Sequence, residues 1–379
     1  MVARVNINPE LIKWAINRSG VEALENRFPK INEWIIGKKQ PTLKQLEELA
    51  KATSTPLGYF FLDEPPTEKL TVPFYRTLGY GDHFNPSPEL LDTLKIMEQR
   101  RDWLRSYLIE HGNEPLHYVG SAKIDFSPIE VAKMIREELA ITEGWASECR
   151  SWEEALRLLI KKIEKIGIMV SINSIVGNNT KRKLNVAEFR GFVLVDDYAP
   201  LIFINGADGK AAQMFTLAHE LAHIWYGSSA IFDLEKLQPS DEKIEQICNQ
   251  TAAEFLVPET EILNLWNEIS DKKSYQVFAR HFKVSELVIV RRLLDLELIS
   301  KEEYLSFYSE RNVVDSTPNK GRPDFYTVVR QRVGRLFSDA IINDTKQGNT
   351  LYRDAYRLLG ISGETFEKYA KLREEENFS

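Results

Sequence analysis

The sequence predicts an α+β chain that is predominantly helical, with a small sheet confined to its middle third. Three observations carry that expectation. Apolar residues recur at helical spacing through 86–110, 128–139, 152–166, 211–225 and 241–257. Only 189–195 and 200–204 are rich in aromatic and β-branched residues, and Asp196-Asp197 between them supplies a turn, so these read as a strand pair. Finally, 9–62 breaks into short helical stretches separated by glycine and proline.

Composition bounds the class. Hydrophobic residues at 43% and charged residues at 28% mark a folded globular chain rather than a disordered one, and 379 residues exceed the usual span of one domain. No apolar run approaches membrane-spanning length, and 1–6 lacks a signal-peptide core, so no membrane partner is expected. With Cys149 and Cys248 the only cysteines, a disulfide framework is excluded and a cytoplasmic location is expected.

Taken in order, 9–17, 21–27, 29–36, 43–52 and 56–62 read as five short helices punctuated by Gly20, Gly37, Pro41 and Pro56. Short helices with tight turns suit a helix-turn-helix module. Its charge is near neutral, nine Lys or Arg against eight Asp or Glu over 1–65, and the whole chain carries −7. Composition therefore shows no basic face of the kind that draws non-specific DNA affinity, and a helical docking domain stays open as the alternative. A long helix at 86–110 and a helical pair at 128–139 and 152–166 lead to the strand pair. An edge strand there would hold an extended peptide by main-chain pairing; the plainer reading is a sheet closing the core. The polar run 178–183 reads as a solvated loop.

The chemistry sits in His219-Glu220-Leu221-Ala222-His223, inside the apolar helical run 211–225. Residues four apart share a helix face, so both imidazoles project together with Glu220 beside them. Two neutral imidazoles hold Zn²⁺ while a neighbouring carboxylate serves as base toward water that the metal has acidified. A His-Glu-His cluster on an otherwise apolar helix is costly to bury without a metal. A third ligand is required. The helix 241–257, ended by Pro258, offers Glu242, Glu245 and Glu254; Glu245 has Asn249 one turn on, an amide able to orient a ligating histidine. Spacing favours Glu245, with Glu254 as the rival, and does not close the choice. Manganese also accepts two imidazoles and a carboxylate, so the cofactor expected is Zn²⁺ or Mn²⁺.

Beyond Pro258, 274–296 again reads as helix, turn and helix, with Arg291 and Arg292 either contacting DNA or packing on the core. The charged stretch 309–323 reads as a linker. In 325–372 arginines alternate with aromatics, including Arg330, Arg332, Arg335 and Phe337, a pattern open to a partner, a nucleic acid or an effector.

Phe189-Arg190-Gly191-Phe192, Ile202-Phe203-Ile204-Asn205-Gly206, the run from Phe215 to His223 and the run from Asn249 to Pro258 together resemble the ImmA/IrrE metallopeptidases. The resemblance implies that His219, His223 and Glu245 hold the metal, that Glu220 is the general base, and that Asn249 supports the ligands. The arrangement is also similar to the wider gluzincin class; a metzincin needs glycine at Tyr226 and histidine at Ser229. Ile31 to Thr42 resembles the third helix and turn of Xre-type DNA-binding domains, which makes 29–36 a recognition helix. Lys30 and Asn32 then reach bases or phosphates, and Lys38 and Lys39 reach phosphates. Thr71 to Thr77 resembles the linker of helix-turn-helix members of the same family, and the C-terminal segment resembles their tail. The implied domains are an Xre-type module at 1–66, a helical linker at 67–119, a peptidase domain at 120–308 and a helical domain at 309–379.

The resemblance implies a zinc-dependent endopeptidase and DNA-binding regulator that cuts one protein, an Xre-type repressor or antitoxin, in response to stress. Double-stranded DNA and self-association are further partners. The alternative is a transcriptional regulator or antitoxin-like partner whose peptidase domain senses or docks without cleaving. Tyr226, Tyr198 and Arg190 have the chemistry to stabilise an oxyanion, but structural roles fit them better.

Overall fold

The computed structural model describes residues 4–21, 23–68, 74–75, 86–232, 243–269, 274–311 and 324–377. It is a mostly helical α+β fold whose sheet lies in the middle of the chain. The chain divides into two compact units, Met1–Thr71 with Gly81–Leu94, and Val72–Tyr80 with Lys95–Ser379.

In the first unit, α1 (Pro9–Ser19), α2 (Leu24–Arg27), α3 (Ile31–Ile35) and α4 (Leu43–Ala52) precede a 3-10 turn, Leu57–Phe61. Local signals fix their ends. Asn8 caps α1, and Thr42 and Gln45 form a reciprocal capping box on α4. Leu11, Ile12, Ile31, Trp34, Leu46 and Phe60 form the core. The expected recognition helix is shorter than its pattern, since it starts at Ile31 and ends at Ile35.

The second unit contains β1 (Phe74–Tyr75), α5 (Pro88–Glu110, from Lys95 onward), α6 (Pro128–Glu138) and α7 (Trp152–Lys165). Next come β2 (Met169–Asn173), β3 (Ile175–Val176), β4 (Asn179–Lys183), β5 (Gly191–Leu194), β6 (Leu201–Asn205), α8 (Lys210–Tyr226) and β7 (Ala230–Phe232). Helices complete the chain: α9 (Lys243–Leu256), α10 (Glu259–Glu268), α11 (Tyr275–Phe282), α12 (Glu286–Asp295), α13 (Lys301–Arg311), α14 (Phe325–Val333), α15 (Arg335–Lys346), α16 (Tyr352–Leu359) and α17 (Gly363–Asn377). Of the linker motif 71–77 only Phe74 and Tyr75 are described, and Glu242 and most of 309–323 lie outside the described residues.

Five strands form the main sheet in the order β1-β7-β5-β6-β2. β5 and β6 pair antiparallel, Gly191 with Ile204 through Leu194 with Leu201, while β2 runs parallel to β6. The expected strand pair therefore forms, but neither member is an edge. β7 covers one side of β5, and β2 covers the far side of β6. The free side of β2 is covered in turn by α14 and α15, where Ser171 Oγ donates to Arg332 O at 2.7 Å. Nor is 178–183 a loop: it holds β4, a mostly exposed strand paired antiparallel with β3.

Helix α8 is buried from Gln213 to Trp225, as a helix apolar on nearly every side must be. It packs on β5 and β6 and meets α6, α7 and α9. Gln213 Nε2 donates to Asp208 O at 2.7 Å and so ties down the loop that leads into the helix. Gly227 ends it at φ 68°, a left-handed cap, and its Cα lies so close to the Gly120 Cα that a side chain would crowd it. Buried Arg100 of α5 donates to Leu358 O and Arg332 O, both at 2.9 Å, and so joins the ends of α16 and α14.

Candidate metal centre

One helical turn separates His219 from His223 on α8, and both rings face α9, where Glu245 lies in the first turn. Glu245 Oε2 is 3.2 Å from His219 Nε2, and Oε1 is 3.0 Å from His223 Nε2. The two Nε2 atoms are 3.1 Å apart, and all three side chains are buried.

These spacings fit a shared ion. Donors about 2.0–2.1 Å from one tetrahedral ion stand roughly 3.3 Å from each other. Burial pulls His219 below its ordinary range despite the opposing charge of Glu245, which favours the neutral, ligating imidazole. Burial pushes Glu245 up, yet the facing imidazoles outweigh it and hold the carboxyl down to about 2. Two Nε2 atoms and an ionised carboxylate thus bring three electron-pair donors to one buried point, which is the chemistry that holds a cation. The donor set therefore fits a divalent metal.

Glu220 completes the arrangement. It is fully buried, and neither carboxylate oxygen has a hydrogen-bond partner among the described residues. Burial, reinforced by the charge of Glu245, raises it well above the usual carboxylate range. Its place depends on Gly191 of β5. A Cβ at 191 would lie 2.7 Å from Thr216 Cγ2, 2.9 Å from Phe203 O and 3.2 Å from Glu220 Oε1. Glycine lets strand and helix approach closely enough to seat the carboxylate. A glycine opening a strand was the available signal for this role.

Residues 163–294 match the IrrE N-terminal-like domain, Peptidase_M78. The chain thus carries a metallopeptidase domain of the HExxH type, with His219, His223 and Glu245 as its metal-binding triad. The M78 match runs from the end of α7 into α12 and so includes the sheet from β2 onward and both ligand helices. Residues 333–372 match a domain of unknown function, DUF8813. No helix-turn-helix family matches, and no curated protein shows significant similarity to the chain. Among the described residues no helix is long and apolar enough to cross a membrane.

The remaining site residues fall into two groups. Asn249, one turn beyond Glu245, favours the protonated state of His219 through its side chain. Lys30, Asn32, Lys38 and Lys39 are exposed in the first unit, where Lys39 Nζ lies 2.5 Å from Glu33 Oε2. That contact, ahead of the fields of Lys38 and Lys30, holds Glu33 below its usual range.

Glu254 lies away from the triad. Its carboxylate pairs with Arg292 and accepts from Glu259 N at 3.3 Å. Arg292 also donates to Val257 O at 3.2 Å, so it packs the M78 core rather than reaching DNA, and Arg291 pairs with Asp295 at 2.9 Å. Tyr226 shares a 3.3 Å hydrogen bond with Thr251, Arg105 lies over the Tyr198 ring, and Arg190 pairs with Asp208. Cys248 is a buried thiol packed with Ala222 and Ile247, and burial raises it well above its usual range.

Proposed function

We propose that this protein is a zinc-dependent endopeptidase that cuts one protein partner, an Xre-type repressor or antitoxin, and thereby controls gene expression. The observation that carries the reading is Glu220, a buried carboxylate without a hydrogen-bond donor among the described residues, beside three converged metal donors. A carboxylate is kept in that state where it has a proton to move.

His219, His223 and Glu245 would hold the ion. Two imidazoles and one carboxylate suit zinc best, although manganese accepts the same donors. When bound, the ion supplies Lewis acidity and makes water acidic near neutral pH. Glu220 takes the proton from the attacking water and delivers it to the leaving amine. The missing side chain at Gly191 leaves the space that Glu220 occupies, and the apolar wall of α8 excludes bulk water from it. The regulatory part of the proposal rests on the compact N-terminal helices, with exposed Lys30, Asn32 and Lys38 offered to double-stranded DNA.

Co-expression with the product of the neighbouring gene tests the proposal. The wild-type chain is expected to shorten that protein. Glu220→Gln should slow the cut by about 10²–10⁴-fold, the range for loss of a general base, while the variant keeps its metal. Cleavage at an unchanged rate in Glu220→Gln would overturn the assignment.

A further inference from the structure

Away from the metal centre, a cavity of about 620 Å³ lies in the second unit, among α7, β2, the start of α8, α14 and the start of α15. Its floor is apolar, with Leu156 and Ile160 from α7 and Val170 and Ile172 from β2. Its rim is basic, carrying Arg157, Lys161, Lys210, Arg330 and Arg335. Three acids also line it, Glu153, Glu154 and Glu164, but two of them are engaged by backbone donors. Glu154 accepts from Arg150 N at 2.7 Å, and Glu164 accepts from Arg335 N at 2.6 Å.

Arg157, Lys161, Lys210 and Arg335 form no ion pair among the described residues. Lys210, the first residue of α8, is half-buried, and its ammonium donates to Gln213 Oε1 at 3.2 Å. Burial pulls that ammonium below its ordinary range, with the field of Glu153 opposing. A partly desolvated cation at a cavity wall is costly unless an anion offsets it.

We propose that this cavity binds a small organic phosphate, its phosphoryl group held by Lys210 and the arginine rim and its organic body laid on the apolar floor. Three features select that class. The volume falls within the range of small-molecule sites. Arginine forks match phosphate oxygens in pairs. The excess of cations over acids, five against three, suits a dianion better than a single carboxylate. An occupant would touch α8, the helix of His219 and His223, together with the start of the segment that matches DUF8813. The site does not depend on the peptidase reading.

Titration calorimetry on the full chain with 5′-AMP, inorganic pyrophosphate and inorganic phosphate tests it. AMP is expected to saturate a single site and to bind more tightly than either inorganic anion. Lys210→Met and Arg335→Met remove the charge but keep an unbranched apolar side chain, and each should weaken AMP by about tenfold or more, as loss of a charge-assisted contact does. Absence of AMP binding at about millimolar concentration, or unchanged affinity in both variants, would overturn the site. Equal affinity for pyrophosphate and AMP would overturn the role given to the apolar floor.

Discussion

Helix α9 carries two buried glutamates, Glu245 and Glu254, in opposite surroundings. Around Glu254 the protein provides its own counter-charge. Arg292 pairs with the carboxylate, and Arg136 donates to Glu254 O at 3.0 Å and Phe255 O at 3.3 Å, closing the end of the helix. Around Glu245 it provides two imidazoles, of which burial favours His219 as neutral, and next to them Glu220, whose carboxylate has no hydrogen-bond donor among the described residues. Charges that serve the fold are satisfied from within. Those left short of donors mark where something from outside is to be held.

The comparison can be broken most forcefully at Arg292. Arg292→Ala leaves Glu254 buried and unpaired, so urea unfolding should show a loss of about 3–5 kcal/mol while the metal content of the folded chain is unchanged. A variant that lost its metal but kept its stability would reverse the roles assigned to the two glutamates.

Glu164 is the intermediate case, with backbone donors from the start of α15 and no cation in ion-pair contact among the described residues. Burial raises it to about 7, with the N–H groups of Arg335 and Leu336 opposing. A carboxyl raised on folding binds its proton more tightly in the native state. Its stabilising contribution is therefore complete below the unfolded value near 4.5 and is lost as pH rises through 7. Thermal melts from pH 4.5 to 8 should show a decline of up to about 3 kcal/mol that Glu164→Gln flattens. An identical slope in the variant would show that neutral backbone donors satisfy a buried carboxylate fully.

The smallest effect is expected at Gly191. Gly191→Ala should lower stability by about 1–3 kcal/mol through overpacking and slow cleavage by displacing Glu220, with metal retained. Unchanged stability and rate would mean that the seat of Glu220 is loose.

Much of this was legible where the determinants are local. The short N-terminal helices are bounded by Gly20, Gly37 and Pro41, and the pairing of His219 with His223 follows from helical pitch alone. What required the fold is non-local. Spacing favoured Glu245 without excluding Glu254, and Glu254 is taken by Arg292, which belongs to a helix further along the chain. β2 is buried at all five positions, so it shows no alternation to separate it from the end of α7. Without β2 and β7 the β5–β6 pair looks like an edge. The polar residues of 178–183 hid a hairpin strand for the converse reason, since neither of its faces is apolar. Gly191 carries its meaning only once Thr216 and Glu220 are seen against it.

Metal stoichiometry tests the central claim most directly. After dialysis against zinc and then against buffer, elemental analysis should find about one ion per wild-type chain, the same in Glu254→Gln, and close to none in Glu245→Ala and His219→Ala, because a three-ligand centre fails on losing one donor. A wild-type chain that emerges metal-free, or a Glu245→Ala chain that keeps its full ion, would contradict it.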